Sequence, residues 1–302
     1  MKKLELHSGA NKNLLAQFSR HLQILNYSKE TVYNANNGVK EYLFYAEKNG
    51  VNFEQTTTLI PYFNYLQKRS NQKTDGGLSL ASLHKHRSIL KLFYDFLLHT
   101  KSVQTPFFPT LQKPKSSASF LSLTEVGKLF DTCDGSLLGR RNKAVLALYY
   151  GLGLRRKEGV DLKVEELDFS KEEVLILKSK TGYQRKVPMS DHVKCILEDY
   201  VFNVREKLVP SDKSTSALLV TQRGKALSSP SVAYILKKIH TESNIKAHAS
   251  LHTLRHSIAT HLLQSGMKLE SIALFLGHRS LDSTQIYTHL SATKKTEQHE
   301  NI

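Results

Sequence analysis

LHTLRHSIATHLLQSGMKLESIALFLGHRSLDSTQIYTHL, running from Leu251 to Leu290, is the stretch from which the rest of the chain can be read. Leu254, Ile258, Leu262 and Leu263 recur at helical spacing, which predicts a helix with one buried stripe. Gly266 is its expected stop. Leu269, Ile272, Ala273 and Phe275 predict a second, short helix ended by Gly277, and a third segment from about Leu281 to His289 carries Tyr287. His252 and Arg255 lie three apart, so they share a helix face, and His278 stands directly after the second stop. A phenol is a poor nucleophile near neutral pH because its pKa is about 10. It becomes useful when a base takes its proton and nearby cations favour the developing charge. A planar guanidinium fork suits a phosphate group. Two imidazoles, an arginine and a tyrosine therefore point to a phosphoryl group attacked by the tyrosine. His252 and His256 also have the spacing of a zinc-binding helix. Thr253, however, occupies the position where the metalloprotease pattern needs a glutamate, and Arg255 would set a fixed cation beside the metal. No metal or other cofactor is expected, and His256 is read as a supporting hydrogen-bond partner.

On the residues HTLRH (252–256), ATHLL (259–263), LGH (276–278) and IYTH (286–289), the stretch resembles the catalytic C-terminus of the tyrosine recombinases, or phage-type integrases, and is most similar to their Xer-type bacterial branch. The resemblance puts the family's H-x-x-R motif on His252 and Arg255, its later histidine on His278 and its nucleophile on Tyr287. Upstream, GLRRKE (153–158) is similar to the family's first arginine motif, which gives Arg155 the catalytic role and Glu158 that of its structural partner. Arg156, Lys157 and Gly159 depart from the smaller or more apolar residues the family prefers there. The family places a catalytic lysine at the turn of a β-hairpin. Counting back from RKVP (185–188) sets that role on Lys180, with Lys178 as the fallback.

Composition agrees with a polyanionic partner. Of 302 residues, 43 are basic and 27 acidic, a net charge of +16, for which nucleic acid is the default. The longest apolar run, Ala144 to Leu154, is far too short to span a bilayer, and the two lysines after Met1 precede no continuous apolar core, so neither membrane nor secretory signal is expected. Only Cys133 and Cys195 are present, which suggests no disulfide framework and a reducing, cytoplasmic setting.

Taken in order, residues 1 to about 11 read as loosely held. Helical patterns follow from Asn13 to Leu25, from Ser28 to Gly50, from about Thr58 to Lys68 and from Ser79 through Leu97. The last carries Lys85, Arg87 and Lys91 and resembles the DNA-facing helix of the family's N-terminal core-binding domain. TPFFPTLQKPKSSAS (105–119) reads as a linker, whose Lys113 and Lys115 suit phosphate contacts. Ser122 or Thr124 caps the next helix. Ala144 to Leu148 is apolar all round and so predicts a buried helix, after which Gly151 and Gly153 turn the chain into Arg155. Val174 and Ile176 alternate with Leu175 and Leu177, and Arg185 to Met189 returns as the second arm of a hairpin. His192 to Val209 and Ser229 to Thr241 predict further helices, with a short strand at Leu218 to Thr221.

The expected fold is mainly α with a small β-sheet. Residues 1–104 form an all-helical core-binding domain that clamps DNA, 105–119 a linker, and 120–302 an α+β tyrosine-recombinase catalytic domain. What the resemblance implies is metal-free strand transfer on double-stranded DNA through a 3′-phosphotyrosyl bond. A homo-tetramer, or one shared with a related recombinase, would exchange strands through a Holliday junction. Two alternatives stand beside it: a type IB topoisomerase-like nicking-closing enzyme, and a non-catalytic DNA-binding protein.

Overall fold

In a computed structural model of the chain, the described residues are 4–69, 77–100, 103–112, 120–177, 184–210 and 215–277. They fall into two units, Met1–Ser116 and Ser117–Ile302. The first carries four helices among its described residues: α1 (Gly9–Ile24), α2 (Lys29–Asn49), α3 (Ile60–Lys68) and α4 (Leu80–Thr100). Ser28 caps α2 by accepting from the Thr31 amide, and Gly50 ends it in the left-handed conformation at φ 61°. The core is rich in aromatic rings. Phe18 meets Phe93 edge-on at 5.4 Å, and the Tyr42 and Tyr94 hydroxyls bond to each other at 2.7 Å. Buried Glu41 is held by Arg69, whose Nε lies 2.6 Å from Oε1.

Two expectations for this unit change. The stretch before α1 is not loosely held from residue 4 onward. Leu6 is buried, and the Glu47 carboxylate accepts from the amides of His7 and Ser8 and from Asn11 Nδ2. Ser8 then caps α1, so this helix starts four residues earlier than its apolar pattern implies. Nor does the chain leave this unit at Thr105. Phe107 exchanges hydrogen bonds with Thr57 and Leu59 at 2.8 and 3.0 Å, Phe108 packs edge-on against Tyr94, and the Gln112 carbonyl lies 2.9 Å from His84 Nε2. Lys91 Nζ sits 6.0 Å above the Phe108 ring. Two phenylalanines in a proline-flanked run supply apolar area, which docks. Lys113 and Lys115 lie outside the described residues.

The second unit opens with α5 (Leu123–Asp131), capped reciprocally by Ser122 and Glu125. Next comes α6 (Leu137–Leu146), which runs on as a wider π-turn over Ala147–Gly151. Ala144 to Tyr149 are all fully buried, as the unbroken apolar run predicts. Then follow α7 (Arg156–Asp161), a three-stranded antiparallel sheet of β1 (Leu167–Asp168), β2 (Glu173–Ile176) and β3 (Arg185–Pro188), α8 (Asp191–Glu198), a second π-turn (Asp199–Arg205) and the one-turn α9 (Glu206–Leu208). The unit closes, among the described residues, with α10 (Ser229–Glu242), α11 (Leu251–Gln264) and α12 (Leu269–Leu276). In the sheet Val174 faces Val187 and Ile176 faces Arg185. The strand expected at 218–221 reduces to single bridges, Lys163 to Ala217 and Val220 to Ala226. Leu218, Leu219 and Val220 are buried in succession, which a half-buried strand cannot do.

Candidate active site

Arg255 rises from the first turns of α11, whose N-terminus is capped by Ser250 accepting from the Thr253 amide. The residue is only 4% exposed. Its guanidinium donates from Nη1 to the Gly153 carbonyl and from Nη2 to the Leu276 carbonyl, both at 2.6 Å. A buried charge needs such partners, because desolvating an unbonded cation costs several kcal/mol. Both carbonyls depend on glycine. Gly153 turns at φ 57°, and a Cβ there would lie 2.8 Å from the Leu276 side chain. Gly277 ends α12 at φ 68°, and a Cβ there would lie 2.9 Å from the Arg185 guanidinium.

Arg155, just before α7, reaches the same place. Its Nη2 donates to the Gly277 carbonyl at 2.7 Å and its Nη1 to Glu158 Oε1 at 2.8 Å, while its amide donates to Glu158 Oε2 at 2.9 Å. Glu158 is therefore its structural partner, as read from GLRRKE. A third arginine joins them. Arg185 bonds both Glu158 oxygens, at 3.1 and 2.9 Å, and the Phe275 carbonyl at 3.1 Å. Burial alone would raise the Glu158 pKa. The bonds and charge of Arg185, and then the bonds from Arg155, outweigh that and hold the carboxyl at about 2. Three consecutive carbonyls at the end of α12 thus each accept from a different guanidinium, where the helix dipole favours cations.

His252 lies on the outer side of α11. Its Nε2 is 2.7 Å from His256 Nε2, with the ring centroids 4.1 Å apart. His256 is therefore the supporting partner that the sequence suggests. Burial, then the charge of Arg255, holds the His252 pKa below the usual imidazole value. For His256, burial, then His252 and Arg255, brings it down to about 4. One such bond needs one ring to donate and the other to accept, so the pair shares a single proton along that line. Behind them, Ser257 accepts from the Leu121 amide at 2.8 Å and donates to the Thr253 carbonyl, which fixes the start of this unit to α11.

These groups surround an open cleft of about 520 Å³, lined by Leu154, Arg155, Arg156, Ser250, His252 and Arg255 together with Leu251 and Ala233. The structure brings together three of the six residues read as catalytic: Arg155, His252 and Arg255. Lys180, its fallback Lys178, His278 and Tyr287 lie outside the described residues. In the first unit Lys85, Arg87 and Lys91 share α4, with Lys85 bonded to Asn34 at 3.1 Å.

Sequence reading used Arg185 only as a landmark. The signal was present: alternation along β3 puts Arg185 on the same side as buried Val187, and a charge facing inward needs a carboxylate partner.

Residues 119–294 match the family described as "Phage integrase family". The chain belongs to that family. It is 34% identical over 287 residues to tyrosine recombinase XerC of Bacillus licheniformis, covering 93% of this chain and 92% of the relative. It is 33% identical to tyrosine recombinase XerC of Bacillus pumilus, covering 92% of each. Among solved structures, the integrase of transposon Tn1549 with transposon right end DNA aligns at a TM-score of 0.74 and 19% identity, over 95% of this chain and 98% of that one. XerH bound to palindromic difH, in a post-cleavage complex, aligns at 0.72 and 20% identity, over 91% and 81%. The fold of this integrase-family chain is thus that of its relatives, mostly helical with a small sheet. Its function is that of a tyrosine-type site-specific recombinase. Neither the topoisomerase-like reading nor the binding-only one is favoured.

Proposed function

We propose that Arg155 and Arg255 grip the non-bridging oxygens of one DNA phosphate in the cleft and that Tyr287 attacks its phosphorus. A bond forms from the Tyr287 oxygen to phosphorus, the bond from phosphorus to the 5′-oxygen breaks, and the DNA strand is left joined to the protein through its 3′-phosphate. Lys180 supplies the proton to the departing 5′-oxygen, His252 serves as the acid/base and takes the proton that the Tyr287 phenol gives up, and His278 hydrogen-bonds a phosphate oxygen. Rejoining runs the same steps backwards with a new 5′-hydroxyl, so the phosphodiester energy is conserved and no nucleotide cofactor is needed.

The observation that carries this reading is that Arg155, just before α7, and His252 and Arg255, on α11, open onto one cleft. Arg155, Arg156 and Arg255 are the guanidinium groups lining it, with no carboxylate among the described lining residues, which suits the negative charge that builds on a phosphodiester in the transition state. The partner is double-stranded DNA, contacted also by Lys85, Arg87 and Lys91 of the first unit and by Lys113 and Lys115. Four subunits, all of this chain or two of them from a related recombinase, act together on two sites through a Holliday junction. The work is done in the cytoplasm, and no helix among the described residues is long and apolar enough to cross a membrane. The test is a nicked suicide substrate that traps the adduct: wild type becomes covalently linked to DNA, whereas Tyr287→Phe binds the same site and forms none. Adducts from Tyr287→Phe at the wild-type level would remove that residue from the role.

A further inference from the structure

Arg185 is a largely buried cation that the chemistry above does not use. Its side chain is 10% exposed and that of Glu158 1%. One planar fork meets three acceptors on two separate elements: both oxygens of Glu158 at the start of α7, and the Phe275 carbonyl in the last turn of α12. Glu158 in turn holds the Arg155 amide and Nη1, and the next two carbonyls along, Leu276 and Gly277, hold Arg255 and Arg155. Without Arg185, Glu158 keeps one guanidinium instead of two and α12 loses one of its three end contacts. Both changes act on the groups that aim Arg155.

We infer that Arg185 is a positioning residue for strand cleavage, fixing Arg155 through Glu158 and the end of α12 through Phe275 so that β3, α7 and α12 present one geometry to the phosphate. This rests on the proposed role of Arg155 as a phosphate ligand. A lysine cannot substitute, because its ammonium is a point charge without the flat, divergent donors that reach two oxygens and a carbonyl together. The placement also has reach along the chain. Arg185 is five residues after Lys180 in the sequence, and the strand β3 that it opens is pinned to the same carboxylate as Arg155.

A purely structural ion pair would make a different prediction. Losing it would lower the fraction of folded, active protein and leave the cleavage step of the survivors unchanged. The experiment is single-turnover cleavage of a nicked suicide substrate at saturating protein, with the rate constant and the amplitude read separately, alongside site affinity by gel shift. For Arg185→Ala the rate constant falls about 100-fold, the scale expected when a reacting group is displaced by roughly 1 Å, while site affinity stays within about threefold. Arg185→Lys falls between the two, and guanidinium ion added to Arg185→Ala restores part of its rate. The rate of Arg185→Ala also acquires an acidic limb at higher pH than any in wild type, because Glu158, left with Arg155 alone, is held less firmly in its charged form. Adding Glu158→Gln to Arg185→Ala removes that limb. If Arg185→Ala does not fold, Arg185→Lys carries the same readouts. A rate constant at the wild-type value, or a loss confined to amplitude with no change in pH profile, overturns the inference. Arg155→Ala is the parallel arm. Wild-type cleavage by that variant would instead overturn the reading of Arg155 itself, whatever Arg185→Ala does.

Discussion

Arg155 and Arg255 end on adjacent carbonyls: Arg155 Nη2 on Gly277 at 2.7 Å and Arg255 Nη2 on Leu276 at 2.6 Å. The two residues are 100 positions apart in sequence, yet the last turn of α12 sets the distance between their forks. Preorganised donors of this kind stabilise a transition state without rearranging during the reaction.

Arg255→Lys tests the fork itself. A lysine keeps the charge but cannot hold Gly153, Leu276 and a phosphate at once. Suicide-substrate cleavage is expected to fall by about 100-fold or more, the scale seen on removing one preorganised donor. Arg255→Ala additionally strips two buried carbonyls of their partner, and urea denaturation should show a loss on the order of 3 kcal/mol. An Arg255→Ala protein as stable as wild type would show that other donors satisfy those carbonyls.

Gly153→Ala tests the turn beneath that fork. The new methyl would meet the Leu276 side chain at 2.8 Å, on a backbone at φ 57° that side chains disfavour. Strain and overpacking together should destabilise the protein by about 1–3 kcal/mol, readable as a shift of the urea midpoint. Cleavage should fall as well, because the carbonyl that moves is the one holding Arg255.

Glu158 gives a pH dependence with a definite sign. Its folded pKa, about 2, lies below the ordinary 4.5, so its contribution to stability is complete above about pH 4.5 and is lost as pH falls toward 2. The shift corresponds to about 3 kcal/mol. The stability gap between wild type and Glu158→Gln, measured by denaturant at a series of pH values, should therefore shrink steadily from pH 5 to pH 2. A gap that stays constant with pH would mean that the carboxylate is not held charged by its arginines.

His256 offers an independent check by nuclear magnetic resonance. Its ring should stay neutral until about pH 4, and wild type should lose stability on acidification from about pH 6.5 to 4 as the unfolded state alone takes up the proton. An imidazole titration midpoint near 6.5 would contradict the half-buried setting of His256 beside His252 and Arg255.

On α4, the charges of Lys85, Arg87 and Lys91 can be counted through salt. If each neutralises one phosphate, the combined alanine variant should reduce the slope of log affinity against log salt by about 2–3, with little change in site preference. A slope equal to wild type would assign these residues to the surface. Lys91 is the one to watch, since its ammonium already lies over the Phe108 ring.

Local grammar was legible in the sequence and distant partnership was not. Ser28, Ser79, Ser122 and Gly277 mark helix ends because caps and left-handed stops act over three or four residues. The motif reading that named Arg155, His252 and Arg255 rested on spacing, and the fold brings those three to one cleft. Arg185 escaped because its meaning lies in Glu158, 27 residues away. Residues 4–8 looked loose because the carboxylate that fastens them, Glu47, is about forty residues on. The π-turns at Ala147–Gly151 and Asp199–Arg205 leave no imprint on apolar periodicity, since they widen a helix by one residue within an already buried run.

The bond from the Leu121 amide to Ser257 makes the beginning of the second unit and the helix of His252 and Arg255 mechanically one piece. A shift of Leu121 is therefore passed to α11 two residues past Arg255.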